Sequence, residues 1–138
     1  MITQANDGEG DPTTGEGRFT SSVSAPGVVA QFGELLAPRP SDRVLEVGTG
    51  SAWTACLLSS IVGRHGTVTT LEVDAGLAEA ADIRTTHLGA GNVQVLTMDA
   101  LDFSSDDLHD GLHITAGVSD IPWSLLTALR PGGTAVLP

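Results

Sequence analysis

Three acidic side chains sit at or near the ends of three apolar segments: Glu46 in Val44-Leu45-Glu46-Val47, Glu72 in Leu71-Glu72-Val73-Asp74, and Asp99 in Met98-Asp99-Ala100. A carboxylate at the end of a second strand can accept both hydrogen bonds of a ribose diol. That geometry underlies the spacing of about 20 residues between a glycine turn and its acid. Asp99, at the end of a third strand, can accept from an exocyclic adenine amine. The first segment runs directly into Gly48-Thr49-Gly50-Ser51. Glycines there let a ligand approach the backbone, and the following helix offers its N-terminal amides. Taken together, these groups suit a ligand with hydroxyls, an amine and positive charge, and no phosphate. The dinucleotide turn G-x-G-x-x-G needs a third glycine where this chain has Trp53, and an indole would crowd the strand–helix contact that glycine serves. NAD is therefore disfavoured. The glycines taken alone are also compatible with a plain strand–helix turn.

Such residues need strands to hold them, and the hydrophobic pattern supplies these. Val28, Val29, Phe32, Leu35 and Leu36 fall on one helical face, with Pro26 near the start and Pro38 and Pro40 beyond the end. A short strand over 43–47 follows, then a helix from Trp53 to Val62 closed by Gly63. Strands are predicted over 67–73, 93–97, 112–115 and 135–137, with helices around Leu77 to Leu88 and Ile121 to Leu129. Strand and helix alternating in this way imply crossover connections and a doubly wound, mostly parallel α/β sheet. Ligands of such sheets bind beyond the carboxyl ends of the strands, which is where the acids fall.

Composition narrows the chemistry further. The chain has 138 residues, room for one domain. Its formal charge is -11, and all six basic residues are Arg. Without lysine there is no Walker A loop, no pyridoxal Schiff base and no lysine nucleophile. Six scattered arginines in an acidic chain make no nucleic-acid footprint. The single Cys56 can form neither an internal disulfide nor a zinc cluster, and beside Leu57 and Leu58 it reads as a buried small hydrophobe. His65, His87, His109 and His113 read as surface residues, and no metal site is expected. No secretory leader pattern and no long apolar run are present, so no membrane partner and a cytoplasmic location are expected. Residues 1–19, rich in Asp, Glu and Gly, read as a flexible acidic tail ahead of a single ligand-binding domain over 20–138.

S-adenosylmethionine is a ligand of the required kind: it has a ribose diol, an adenine amine, an ammonium and a sulfonium, and no phosphate. Val44 to Ala55 (VLEVGTGSAWTA), Leu71-Glu72-Val73-Asp74 and Met98-Asp99-Ala100 resemble the motifs of class I S-adenosylmethionine-dependent methyltransferases. More narrowly, the chain resembles the protein-L-isoaspartate O-methyltransferase family. The similarity rests on Ser22-Val23-Ser24-Ala25-Pro26, Ile114-Thr115-Ala116-Gly117, Ile121-Pro122 and the hairpin-like Pro131-Gly132-Gly133, and covers residues 20–138. The resemblance implies a Rossmann-like sheet of order 3-2-1-4-5 without the family's later strands. It implies a cofactor, S-adenosyl-L-methionine, with S-adenosyl-L-homocysteine as product. The cofactor would be held by Glu46, Gly48, Thr49, Gly50, Ser51, Glu72, Val73, Asp99, Ala100 and Thr115. Ser24 matches the family's active-site serine, although a serine before Ala25-Pro26 is also a good helix cap. The implied activity is carboxyl methylation of isoaspartyl or aspartyl residues in a protein or peptide. A peptide-tailoring relative and a cofactor-binding module without turnover are the alternatives. Ala52 departs from the family's third glycine, and its methyl is tolerated only at negative φ. The resemblance leaves two alternatives: either the chain is a fragment, or a second copy covers the fifth strand, which is otherwise an open edge.

Overall fold

The computed structural model describes Gln4, Ala5, Thr14 and residues 21–138. The expected acidic tail lies outside the described residues, except that Gln4–Ala5 pairs antiparallel with Ser21–Ser22. From there the chain runs α1 (Pro26–Leu36), β1 (Arg43–Val47), α2 (Trp53–Val62), β2 (Thr67–Glu72), α3 (Ala75–His87), β3 (Val93–Thr97), β4 (His109–Ile114), α4 (Trp123–Thr127) and β5 (Leu129–Val136). The five strands form one sheet in the order β3-β2-β1-β4-β5, and every pair is parallel.

Both faces of the sheet are covered, which is why Arg43–Val47 reads as a near-continuous apolar run. One face buries Val44 and Val68 against Leu36 of α1, Ala55, Leu58 and Val62 of α2, and Ala81 of α3. The other buries Leu45, Val47, Leu71, Leu112 and Ile114 beneath Phe103 and Leu125. Local signals set the helix ends. Pro26 begins α1, and the Asp74 side chain caps α3 by accepting from the Leu77 amide at 2.9 Å.

Two parts of the second half differ from expectation. β4 begins three residues earlier than the pattern predicts, because His109 and Gly111 break the apolar run yet are buried. β5 begins at Leu129 and contains Pro131-Gly132-Gly133, which is not a hairpin. His109 faces Leu129 and Gly111 faces Thr134, so five steps on β5 span two on β4 and the segment bulges out of the ladder. Correspondingly, α4 is confined to Trp123–Thr127. No described helix is long and apolar enough to cross a membrane.

Candidate functional site

The turn after β1 is built by backbone geometry that only some residues allow. Gly48 has φ +97°, and a Cβ there would lie 2.7 Å from Thr115 Oγ1 and 2.9 Å from the Ala116 nitrogen. Thr115, just past β4, fixes the turn from the other side. Its hydroxyl lies 2.9 Å from the Val47 carbonyl and 2.7 Å from the Gly48 carbonyl, both of which accept from it. Ser21 passes over Gly50, where an added Cβ would come within 3.2 Å of its Oγ. The crossing between β1 and β4 is also where strand order reverses, the usual place for a ligand in such a sheet.

Glu72 ends β2 beside this turn. One carboxylate oxygen accepts from the Gly50 amide at 2.8 Å and the other from the Asp74 amide at 3.1 Å. The Gly48 and Thr49 amides both donate to the Leu71 carbonyl, at 2.9 and 3.2 Å. Three amides of the turn are thus engaged, one of them by a negative charge. A phosphate would meet a carboxylate where it needs a donor. This, and not crowding by Trp53, is what disfavours a dinucleotide. The indole is 48% exposed and does not lie in the strand–helix contact.

A cleft of about 340 Å³ opens over the turn, within the size range of small-molecule sites, about 300–1,000 Å³. Gly48, Thr49, Gly50, Ser51, Glu72, Val73 and Thr115 line it, and so does Ser24. Val23, Trp53, Thr54, Leu77, Ala116 and Gly117 also line it. Their types gave no chemical signal in the sequence, although Val23 lies in the Ser22–Pro26 segment and Ala116-Gly117 in the Thr115 segment.

Ser24 is exposed at the cleft and is not the cap of α1. That position is Ala25, and no side chain caps the helix. The helix-cap alternative is therefore corrected, because the helix begins one residue later than that role requires.

Three of the residues expected at the ligand do not line this cleft. Glu46 is fully buried within β1 and does not line the cleft. Asp99 is exposed, its carboxylate accepting from the Leu101 amide at 2.9 Å, and neither it nor Ala100 lines the cleft. Asp99 nonetheless follows Met98, whose amide donates to the Glu72 carbonyl at 2.9 Å.

Other expectations are also corrected. His109 and His113 are buried, because β4 is a central strand, while His65 and His87 are exposed. Cys56 is only half-buried, and burial pushes its thiol pKa up. Ala52 has φ +61°, so the negative-φ condition for its methyl is not met, and its side chain packs in the core. Among the described residues, no three His, Cys, Asp or Glu side chains gather around a metal-sized space.

The sequence profile of the Protein-L-isoaspartate(D-aspartate) O-methyltransferase family matches residues 14–138. The chain belongs to that family. Among isoaspartate methyltransferase relatives, Protein-L-isoaspartate O-methyltransferase 2 of Archaeoglobus fulgidus is 38% identical over 121 residues, covering 87% of this chain and 55% of the relative. Protein-L-isoaspartate O-methyltransferase 1 of Geotalea uraniireducens is 42% identical over 118 residues, covering 85% of this chain and 52% of the relative. The chain thus spans about half the length of the curated relatives it matches. A solved protein-L-isoaspartate O-methyltransferase superposes on all of this chain with TM-score 0.87 and 28% identity, using 41% of its own length. A methyltransferase of Thiobacillus denitrificans, solved with S-adenosyl-L-homocysteine, superposes on 79% of the chain and 46% of its own, with TM-score 0.66 and 26% identity.

Proposed function

We propose that the protein binds S-adenosyl-L-methionine in this cleft and methylates the carboxylate of isoaspartyl residues in damaged proteins or peptides. The observation that carries the reading is the juxtaposition of Glu72, the Gly48–Ser51 turn and Ser24 around one cleft. Family membership and the methyltransferase neighbours support it. When bound, S-adenosylmethionine supplies a sulfonium methyl that passes to a carboxylate oxygen, the C–S electron pair staying on sulfur, to leave a methyl ester and S-adenosylhomocysteine.

Glu72 would accept from the ribose hydroxyls while the glycine turn admits the ligand to the backbone. Asp99, just beyond the β2–β3 rung, would take the adenine amine. Ser24 would orient the acceptor carboxylate through its hydroxyl. An acceptor carboxylate is already ionised at pH 7, so no general base is required. What remains for the protein is alignment of the two reactants and exclusion of water. Trp53 and Val23 at the cleft wall serve the second task.

Tritiated-methyl transfer to an isoaspartyl peptide, compared with its normal aspartyl twin and scored as base-labile methanol, tests the reading. Label on the isoaspartyl peptide alone is the expected result. No label on either peptide, or equal label on both, would overturn it.

A further inference from the structure

Among the described residues, three of the four buried polar side-chain atoms without a hydrogen-bond partner sit together: Glu46 Oε1 and both ring nitrogens of His113. Neither residue lines the cleft. The two are in register on β1 and β4, both buried, with Glu46 Oε1 3.9 Å from His113 Nδ1. The other Glu46 oxygen accepts from Thr70 at 2.7 Å. Phe32 of α1 meets His113 edge-on, with ring centroids 5.9 Å apart, and has no group to satisfy a ring nitrogen. Buried polar atoms left without partners are uncommon enough to call for a reason.

A gap between two helices reaches this pair. α1 packs on β4 and β5, whereas α2 packs on β1, β2 and β3, and a space of about 360 Å³ remains between the helices. That volume is within the range of small-molecule sites. Val29, Ala30 and Gly33 of α1 and Trp53, Leu57 and Ile61 of α2 line its sides, and His113 also lines it. Gly33 helps to keep it open, since a Cβ there would meet nothing within 4 Å. Glycine inside a helix is unfavourable relative to alanine, and no positive φ requires it at this position.

The lining selects the occupant. Apolar walls suit a ring. Glu34, the carboxylate that lines the gap, is exposed to water, so an ion held beside His113 would lose its hydration without a counter-charge. Burial pushes the His113 pKa down, which leaves the imidazole neutral at pH 7. A neutral imidazole has one N–H and one lone pair, and a hydroxyl can answer either. A protein segment laid across Leu57 and Ile61 would cover the walls yet leave the buried nitrogens unsatisfied.

We propose that this gap is a second binding site, for a small neutral molecule with an apolar ring and one hydroxyl, the hydroxyl bonding to His113. The site shares Trp53 with the cleft, but its occupancy does not depend on which cofactor the cleft holds.

Para-fluorophenol and fluorobenzene differ by one hydroxyl, and titrating each into the full chain at pH 7 with fluorine NMR detection tests the proposal. The phenol should bind about threefold to tenfold more tightly, the usual net effect of one hydrogen bond. In protein with isotope-labelled histidine it should shift the ring nitrogens of His113 and leave those of His65, His87 and His109 in place. His113→Leu should bind the two compounds equally. Gly33→Leu, whose side chain would occupy the gap, should bind neither.

Equal wild-type affinity for the two compounds would overturn the proposal, as would binding of neither. Unmoved His113 nitrogens, or binding that survives in Gly33→Leu, would also overturn it. A phenol preference that persists in His113→Leu would remove His113 from the site and the proposal with it. Should either variant fail to fold, the wild-type affinities and nitrogen shifts decide.

Discussion

Two glutamates in this molecule began as equals and end in different environments. Glu46 and Glu72 both follow apolar strand residues, and the register of β1 on β2 puts them on the same face of the sheet. Glu46 faces Thr70, and Glu72 is two residues further along. That single pleat decides their chemistry. Glu72 is 8% exposed, holds two backbone amides and borders the cleft. Glu46 is 0% exposed and has one hydroxyl partner and one orphaned oxygen. The acid at the strand end borders the cleft, whereas the one a pleat deeper meets only protein.

The harshest way to break this comparison is to remove the turn that separates the two. Gly48→Ala would force a Cβ against Thr115 and the Ala116 backbone at a φ that alanine avoids. We expect a loss of about 2–4 kcal/mol in chemical denaturation, with cofactor binding lost as well. Glu72→Ala should weaken S-adenosylmethionine binding by about 1–3 kcal/mol in calorimetry, since ribose hydroxyls lose their acceptor. An unchanged affinity would remove Glu72 from the site.

The inner glutamate should reveal itself through pH. Its folded-state pKa is raised from 4.5 to about 8, so between those values the folded protein holds a proton that the unfolded chain has released. Its contribution to stability is fully present below about 4.5 and is lost as pH rises through about 8. The slope attributable to this one group is at most about 1.4 kcal/mol per pH unit. His109 and His113 are pushed down by burial, so their contributions have the opposite sign and are lost as pH falls below 6.5. Denaturation curves between pH 6.5 and 8 should therefore decline for wild type and flatten for Glu46→Gln.

Ser24→Ala should lower turnover while changing stability by less than about 0.5 kcal/mol, because no cap bond is lost. A stability loss near 1 kcal/mol with full turnover would restore the capping role. The smallest effect is expected of Ala52→Gly. Left-handed alanine is unfavourable by about 1–2 kcal/mol, but its methyl is buried and contributes about 0.8 kcal/mol. The net should be a gain of no more than about 1 kcal/mol, read as a small rise in Tm.

The first half of the domain was legible in the sequence because its signals are local. Arg43–Val47 and Trp53–Val62 have the expected bounds, since an apolar run closed by a glycine, Gly48 or Gly63, leaves little choice. The place of Glu72 beside the glycine turn could be read because a strand end is visible in sequence. The inward position of Glu46 could not, because depth depends on register with β2 and β4, which no single segment encodes. His109 and His113 were misjudged for a related reason: polar residues in a central strand look like loop residues until both neighbouring strands are in place. Pro131-Gly132-Gly133 misled in the same way, a turn signature absorbed as a bulge once β4 fixed the ladder on either side.

A crystal structure of the protein with S-adenosylhomocysteine would test the central claim most directly. The ribose hydroxyls should lie on the Glu72 carboxylate and the ligand against the Gly48–Ser51 backbone, with Glu46 still bonded to Thr70 and not touching the ligand. A ligand held by a Glu46 turned into the cleft, or bound away from Glu72, would contradict it.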